Sequence, residues 1–400
     1  MAFNWTKPAT DSAAGTPTYN KCIFAGGSIN LFVLVESRTG ADLKRVLTSP
    51  DAITWTMRST PEANSWLSVA FNGTTLVAVS SSTAAVNQVM TSVDGISWTG
   101  RVASEANAWQ DVTWIGGSIN LFVAVSQGGT HRAMTSPDGI TWTNQTTPVT
   151  LKTWGGIATN GTTQLVASAG TNSTQSIMTS PDGVTWTLQT TPISLGFQNR
   201  GIAYSSTLGM FVAVSQTGTG HVVRSTDGGV TWTDWGTPPT GWTLTTIRMI
   251  AYSPELTKFV LVHSSTDAKV ALSTDADVWT TELMDNGVDD FFRPWIGVGY
   301  SPSLTKFVIF ESSPSPDTVA VAGGAAVAPS VDLITPNSGT IRGGTAVSID
   351  GHGFTAGDRV FFGAKEATSV VVNSATNITC VSPKGNALGT IQVIVRGPNV

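Results

Sequence analysis

A single short phrase, repeated at a nearly constant interval, constrains this chain more than any other feature. Serine, one residue, aspartate and usually glycine are followed by a tryptophan four or five positions beyond the aspartate. The aspartates are Asp51, Asp94, Asp138, Asp182, Asp227 and Asp275, and the tryptophans are Trp55, Trp98, Trp142, Trp186, Trp232 and Trp279. Trp5 begins the series without a preceding turn. Successive tryptophans lie 50, 43, 44, 44, 46 and 47 positions apart. A period of that size marks a closed array of four-stranded blades.

A second phrase falls between the tryptophans. Apolar strands start at Phe32, Leu76, Phe122, Leu165, Phe211, Phe259 and Phe307, each preceded by a shorter strand such as Gly201–Tyr204. Near-continuous apolar runs suit strands covered on both faces. The last repeat has strands at 295–300, 307–310 and 318–322 but no fourth, while residues 3–6 form a fourth strand with no first three. Pairing the two ends closes a ring and removes exposed edges. An open solenoid is the alternative, and it strands both fragments. The expected fold is all-β: a seven-bladed β-propeller over 1–323, sealed by the N-terminal strand, then a linker at 324–329 and an Ig-like β-sandwich over 330–400.

Composition narrows the partners. Only 12% of residues are charged and the net charge is −5, with 21 basic residues scattered along the chain. No phosphate-tracking groove is expected, so nucleic acid is not an expected partner. No apolar run reaches the roughly 18–20 residues of a membrane span. The start of the chain lacks a basic and apolar leader, so export by the standard secretory route is not expected. Cys22 and Cys380 fall in different halves. Neither a structural disulfide nor a CxxC site is expected.

The Ser-x-Asp phrase resembles the Asp-box, or BNR, repeat of sialidases and sortilin-type receptors. Ser225–Trp232 has the full family spacing, and the other copies are one residue shorter. The resemblance implies a hairpin between the third and fourth strands of each blade, on the face away from any active site. Local chemistry gives the six aspartates a structural role, accepting N–H groups of their own turns. Metal binding is the other reading, but one carboxylate per blade gives no oxygen-rich cluster. No metal and no cofactor is expected.

Sialidases need an arginine triad, a Tyr–Glu pair and an acidic proton donor. Tyr204, Tyr252 and Tyr300 share one repeat position with Phe24, Phe71, Trp114 and Thr159, which makes them scaffold residues. Arg200, Arg248 and Arg293 recur at the starts of inner strands, yet no glutamate recurs with them. Asp285, Asp289 and Asp290 beside Arg293 could supply paired carboxylates, or form a solvated loop. The four histidines show neither ligand spacing nor a nucleophile elbow. No enzymatic activity is expected.

One further row stands out. Five residues before the Phe24 position and its equivalents come Tyr19, Trp66, Trp109, Trp154, Asn199, Ile247 and Trp295. If these rings circle the channel mouth, then Tyr19, Trp66, Trp109, Trp154 and Trp295, with Arg200 and Arg248, form a candidate glycan- or partner-binding rim. Polar neighbours include Glu62, Asn64, Glu105, Asn107 and Lys152. The competing reading is that the rings plug gaps between blades.

After residue 329 the period breaks. Ile334-Thr335-Pro336-Asn337-Ser338-Gly339, Gly343–Gly351, Val360–Gly363 and Asn377–Pro383 follow in order. This series resembles the IPT/TIG family of Ig-like domains, used chiefly as spacers or adhesion units. The segment ends soon after Ile391–Val395, so the family's last strand is expected to be truncated or absent, with an edge that a partner chain could complete. A propeller joined to such a module, poor in charge and without a leader, resembles tailed-phage virion proteins. That resemblance implies a non-enzymatic structural protein, assembled in the host cytoplasm and exposed on the virion as a tail or fibre adhesin or a capsid decoration. Its partners would be other virion proteins and host surface glycans, with no membrane insertion, and a homo-oligomer is compatible. The alternatives are a secreted or surface glycosidase and a bacterial surface adhesion module.

Overall fold

The computed structural model describes residues 4–6, 17–38, 40–148, 153–170, 173–194, 201–215, 221–234, 247–263, 269–283, 295–302, 304–311, 319–323, 330–352, 354, 358–374, 377–385 and 389–396. Strands and turns, with no helix, make up these described residues. The second repeat shows how one unit forms. Strands Trp66–Phe71, Leu76–Ser80, Val89–Ser92 and Thr99–Arg101 pair antiparallel in chain order. All five residues of Leu76–Ser80 are buried, because this strand carries neighbouring sheets on both faces. The outermost strand, Thr99–Arg101, is only partly covered.

Seven such four-stranded sheets follow one another in the described residues. Their innermost strands pack in sequence: Pro17–Ala25, Trp66–Phe71, Trp109–Ile115, Trp154–Thr159, Ile202–Ser205, Ile247–Ser253 and Trp295–Ser301. The last packs against the first, which makes the array a closed propeller. Strand Asn4–Thr6 lies outermost in the final sheet, beside Val319–Gly323.

Closure is a tight fit. A Cβ on Gly299, in the last inner strand, would lie 2.7 Å from the Cys22 carbonyl oxygen and 2.9 Å from the Cys22 Cβ. Only glycine lets the two strand backbones approach that closely. Lys306 reinforces the seam by donating from Nζ to the Asp51 carbonyl at 3.1 Å. Cys22 is buried there, and burial pushes its thiol far above the usual range.

The chain divides into a propeller unit running to Ala322 and a second unit from Gly323 onward. The expected linker, 324–329, lies outside the described residues. In the second unit, Ser330–Thr335, Ala346–His352, Asn377–Val381 and Thr368–Ser374 form one sheet in that order. Lys365–Glu366, Arg359–Phe362 and Val393–Arg396 form another. The two enclose Val347, Ile349, Phe354, Val360, Ile378, Cys380 and Val395, an Ig-like sandwich core. Near the end of the chain, Val393–Arg396 pairs with Arg359–Phe362 along its full length.

Replacing Gly299 with alanine should destabilise the propeller by about 1–3 kcal/mol, the usual range for overpacking. Gly26→Ala, whose added methyl meets only the Phe24 ring edge at 3.9 Å, should leave the urea midpoint nearly unchanged. Equal midpoints for the two variants would refute the closure account.

Candidate functional site

Each Ser-x-Asp turn is closed by its own side chains. In the second repeat, Asp94 Oδ1 accepts N–H groups from Ile96 and Ser97, both at 2.8 Å. Ser92 Oγ donates to the same carboxylate at 2.9 Å and accepts the Gly95 N–H at 2.8 Å. The Trp98 indole N–H donates to the Gly95 carbonyl at 3.2 Å. Asp51, Asp138, Asp182 and Asp275 likewise accept the N–H groups two and three residues beyond them. Asp227, with one more residue in its turn, reaches Val230 and Thr231 instead. Ala52 and Ala276 stand where the other copies have glycine, yet they keep left-handed φ values of 64° and 60°. The bonds of the turn hold even a residue with a Cβ in that region.

These bonds fix the charge of the turns. Burial alone would raise the carboxyls, but backbone N–H groups and the serine hydroxyl outweigh it and hold all six below the usual aspartate range. Among the described residues, no group of three acidic, His or Cys side chains is placed to hold a metal.

Four of the rings proposed for an exposed rim are instead interior. Trp66, Trp109 and Trp154 are 0% exposed and Tyr19 is 2% exposed. Their register partners explain the fit: Trp66 lies opposite Ser80, Trp109 opposite Ser126 and Trp154 opposite Ala169. A small residue leaves room for each indole, and a bulge follows each ring. Every ring reaches into the apolar face of the preceding sheet. Trp66 meets Val33 and Val35, Trp109 meets Val77 and Val79, and Trp154 meets Val123 and Val125. The reading as plugs between sheets therefore replaces the collar for these three tryptophans, and Tyr19 is buried opposite Glu36. Trp295 belongs to an inner strand opposite Glu311. Arg248 is half-buried. Arg200, Arg293, Lys152, Asn199, Asp285, Asp289 and Asp290 lie outside the described residues.

The polar neighbours clamp backbone. Glu62 accepts the Asn87 N–H at 3.2 Å while Asn64 donates to the Asn87 carbonyl at 2.7 Å. Glu105 and Asn107 hold His131 in the same way, at 3.1 and 2.7 Å. Glu105 also takes the Thr130 N–H and the His131 ring nitrogen. Burial opposes ionisation of Glu105, but these donors prevail and hold its carboxyl below the usual glutamate range.

Two features were not anticipated from the sequence. The first is a clasp on the inner strands, centred on Asp111, which is 2% exposed. Its Oδ1 receives Lys21 Nζ and Ser68 Oγ, both at 2.6 Å, and its Oδ2 receives the Ile157 N–H at 3.0 Å. One carboxylate thereby ties four successive sheets together. The second is an open cavity of about 300 Å³ beside the clasp, lined by Lys21, Ile23, Phe24, Phe71, Thr113 and Trp114 together with apolar wall residues. A single charged residue in each of two otherwise uncharged inner strands was the available signal for the clasp.

The comparisons agree with this division. Residues 329–400 match the IPT/TIG domain family. The match covers the Ig-like sandwich and not the propeller. A comparison with curated proteins finds no match. Among solved structures, the chain is similar to YCF48 bound to D1 peptide, at 14% identity and TM-score 0.57, covering 82% of this chain and 96% of that one. YCF48 from Cyanidioschyzon merolae gives 15% identity and TM-score 0.58, with 80% and 98% covered. Virginiamycin B lyase from Staphylococcus aureus gives 11% identity and TM-score 0.61, with 80% and 99% covered. At such identities the likeness concerns fold alone. One of these neighbours is an enzyme by name, so the architecture does not decide the chemistry.

Asp94→Ala should cost about 1–3 kcal/mol at pH 7, the penalty for orphaning its donors. The folded pKa is depressed, so this stabilisation is present above the unfolded value and is lost as pH falls through the folded one. The gap between variant and wild type in urea should therefore narrow below about pH 4. A gap that widens with acid would contradict the assignment. For the clasp, Lys21→Met should cost about 3 kcal/mol by leaving a buried carboxylate short of its cation. Lys21→Met combined with Asp111→Leu should lose less than the summed single effects in a double-mutant cycle, and additive losses would contradict the clasp.

Proposed function

We propose that the chain is a non-enzymatic binding protein, a structural component of a tailed-phage particle displayed on its surface. It serves as a tail or fibre adhesin or a capsid decoration, binding other virion proteins through one unit and host surface glycans through the other. The observation that carries the non-enzymatic part is how acidic groups are used. The six turn aspartates accept backbone N–H groups, Glu62 and Glu105 clamp neighbouring strands, and Asp111 is enclosed. Carboxylates spent on holding a scaffold suit a rigid binding module better than a hydrolase, which needs a pair held open to substrate. The phage assignment is supported by the resemblance of Asp-box repeats followed by an IPT/TIG module to virion proteins, and by the low charge content of 12%.

Mass spectrometry of purified particles from the source tests the assignment. The expected outcome is this polypeptide at stoichiometric abundance, accessible to antibody on intact virions. Its absence from particles would overturn the virion reading. A fluorogenic glycoside panel tests the other half, with no turnover expected. Turnover abolished by Asp289→Ala or Asp290→Ala would establish the glycosidase alternative instead.

A further inference from the structure

The cavity beside Lys21 has the makings of a sugar site, at the opposite end of the inner strands from the row of buried rings. Phe24, Phe71 and Trp114 occupy equivalent positions in three successive sheets, and all three are half-buried. Each keeps part of its ring at the opening. Phe24 and Trp114 are braced from behind by Phe32 and Phe122, at ring-centroid distances of 5.1 and 4.7 Å. On the opposite arc the equivalent residues are Tyr204, Tyr252 and Tyr300, outside the cavity lining.

Polar groups occur at two places among these rings. Thr113 is half-buried and lines the cavity. The Lys21 ammonium has three donors, of which Asp111 and the Val112 carbonyl take two. The third is left for a ligand acceptor. Because Asp111 offsets the lysine charge, the pair exerts little net pull on an anion. A neutral ligand with an apolar face and several hydroxyls matches this lining better than a carboxylate or a purely apolar molecule. The volume of about 300 Å³ stands at the small end for ligand pockets and admits one ring rather than a chain.

We propose that this cavity binds a single neutral pyranose, the terminal unit of a glycan, with its C–H face on Phe71 and Trp114 and its hydroxyls on Thr113 and Lys21. The proposal rests on the reading of the chain as a glycan-binding surface protein and names the site and ligand class for it.

Titration calorimetry of the full chain with methyl pyranosides of glucose, galactose, mannose and N-acetylglucosamine is the test. At least one should bind with one-to-one stoichiometry. Phe71→Ala and Trp114→Leu should each weaken binding about tenfold through lost ring contact. Thr113→Val, nearly isosteric on a strand, should weaken binding severalfold with an unchanged unfolding midpoint. It keeps the test decisive if a ring variant fails to fold. Absence of binding by every pyranoside, or affinity unchanged in the folded Thr113→Val and Phe71→Ala variants, would overturn the site. Presence in virions without pyranoside binding sinks this site and leaves the particle assignment standing. Absence from virions with binding intact does the reverse.

Discussion

The structure depends on large rings being driven between neighbouring sheets. A four-stranded sheet with two apolar faces cannot stand alone in water, because each face must be covered by something of matching shape. Trp66, Trp109 and Trp154 provide that match, each entering the valine face of the sheet before it. The turn tryptophans Trp142 and Trp186 join the same interfaces from the outer strands. Full burial of one such side chain is worth about 1.5–3 kcal/mol or more. Each interface thus gains from both ends of the sheet. Closure follows because the last sheet would otherwise face water, and Gly299 removes the one side chain that would hold it off Cys22.

Packing of this kind leaves polar groups with few places to go. Those that remain satisfy backbone at points where the ladders stop. The turn aspartates serve the outer hairpins, Glu62 and Glu105 hold the strand approaches, and Asp111 joins four sheets at the inner edge. The ring is consequently unequal around its axis. Lys21, Ser68 and Asp111 occupy one arc, while the matching positions elsewhere hold Gly156, Gly201, Met249 and Gly297. At Gly297 a Cβ would strike the Phe310 ring at 1.9 Å, so that arc is filled by an aromatic from the neighbouring strand instead. Charge gathers where the ring leaves space for it.

Much of this was legible in the chain because the governing contacts are local. Asp94 and its donors span only six residues, so the turn can be read directly from spacing. Pairing of the first strand with the last sheet was legible as a last repeat short of its fourth strand and a lone fourth strand at the start. The buried row was legible as a repeat position, with rim and plug both open as its surroundings. Strand order says that Trp66 begins an inner strand, but only the register shows a bulge and a serine partner that let the ring turn inward. The clasp was hidden for a different reason. Lys21 and Asp111 are separated by 90 residues, and no local pattern links two charges that meet through the curvature of a ring.

The two aromatic rows differ in the same way. Both recur with the period, and both lie on inner strands, so sequence alone ranks them equally as packing or binding residues. Their cross-strand neighbours divide them. Trp66, Trp109 and Trp154 face serine or alanine and sink to full burial. The Trp114 row faces another large residue, as Trp114 faces Phe122 and Phe24 faces Phe32. Two large rings cannot both fit within one sheet interface, so the one nearer the axis stays partly outside. A propeller of this type thus generates a row of half-buried rings around its opening from packing alone. Whether such a row can hold a ligand then depends on polar groups set among the rings, and in this chain Lys21 and Thr113 supply them.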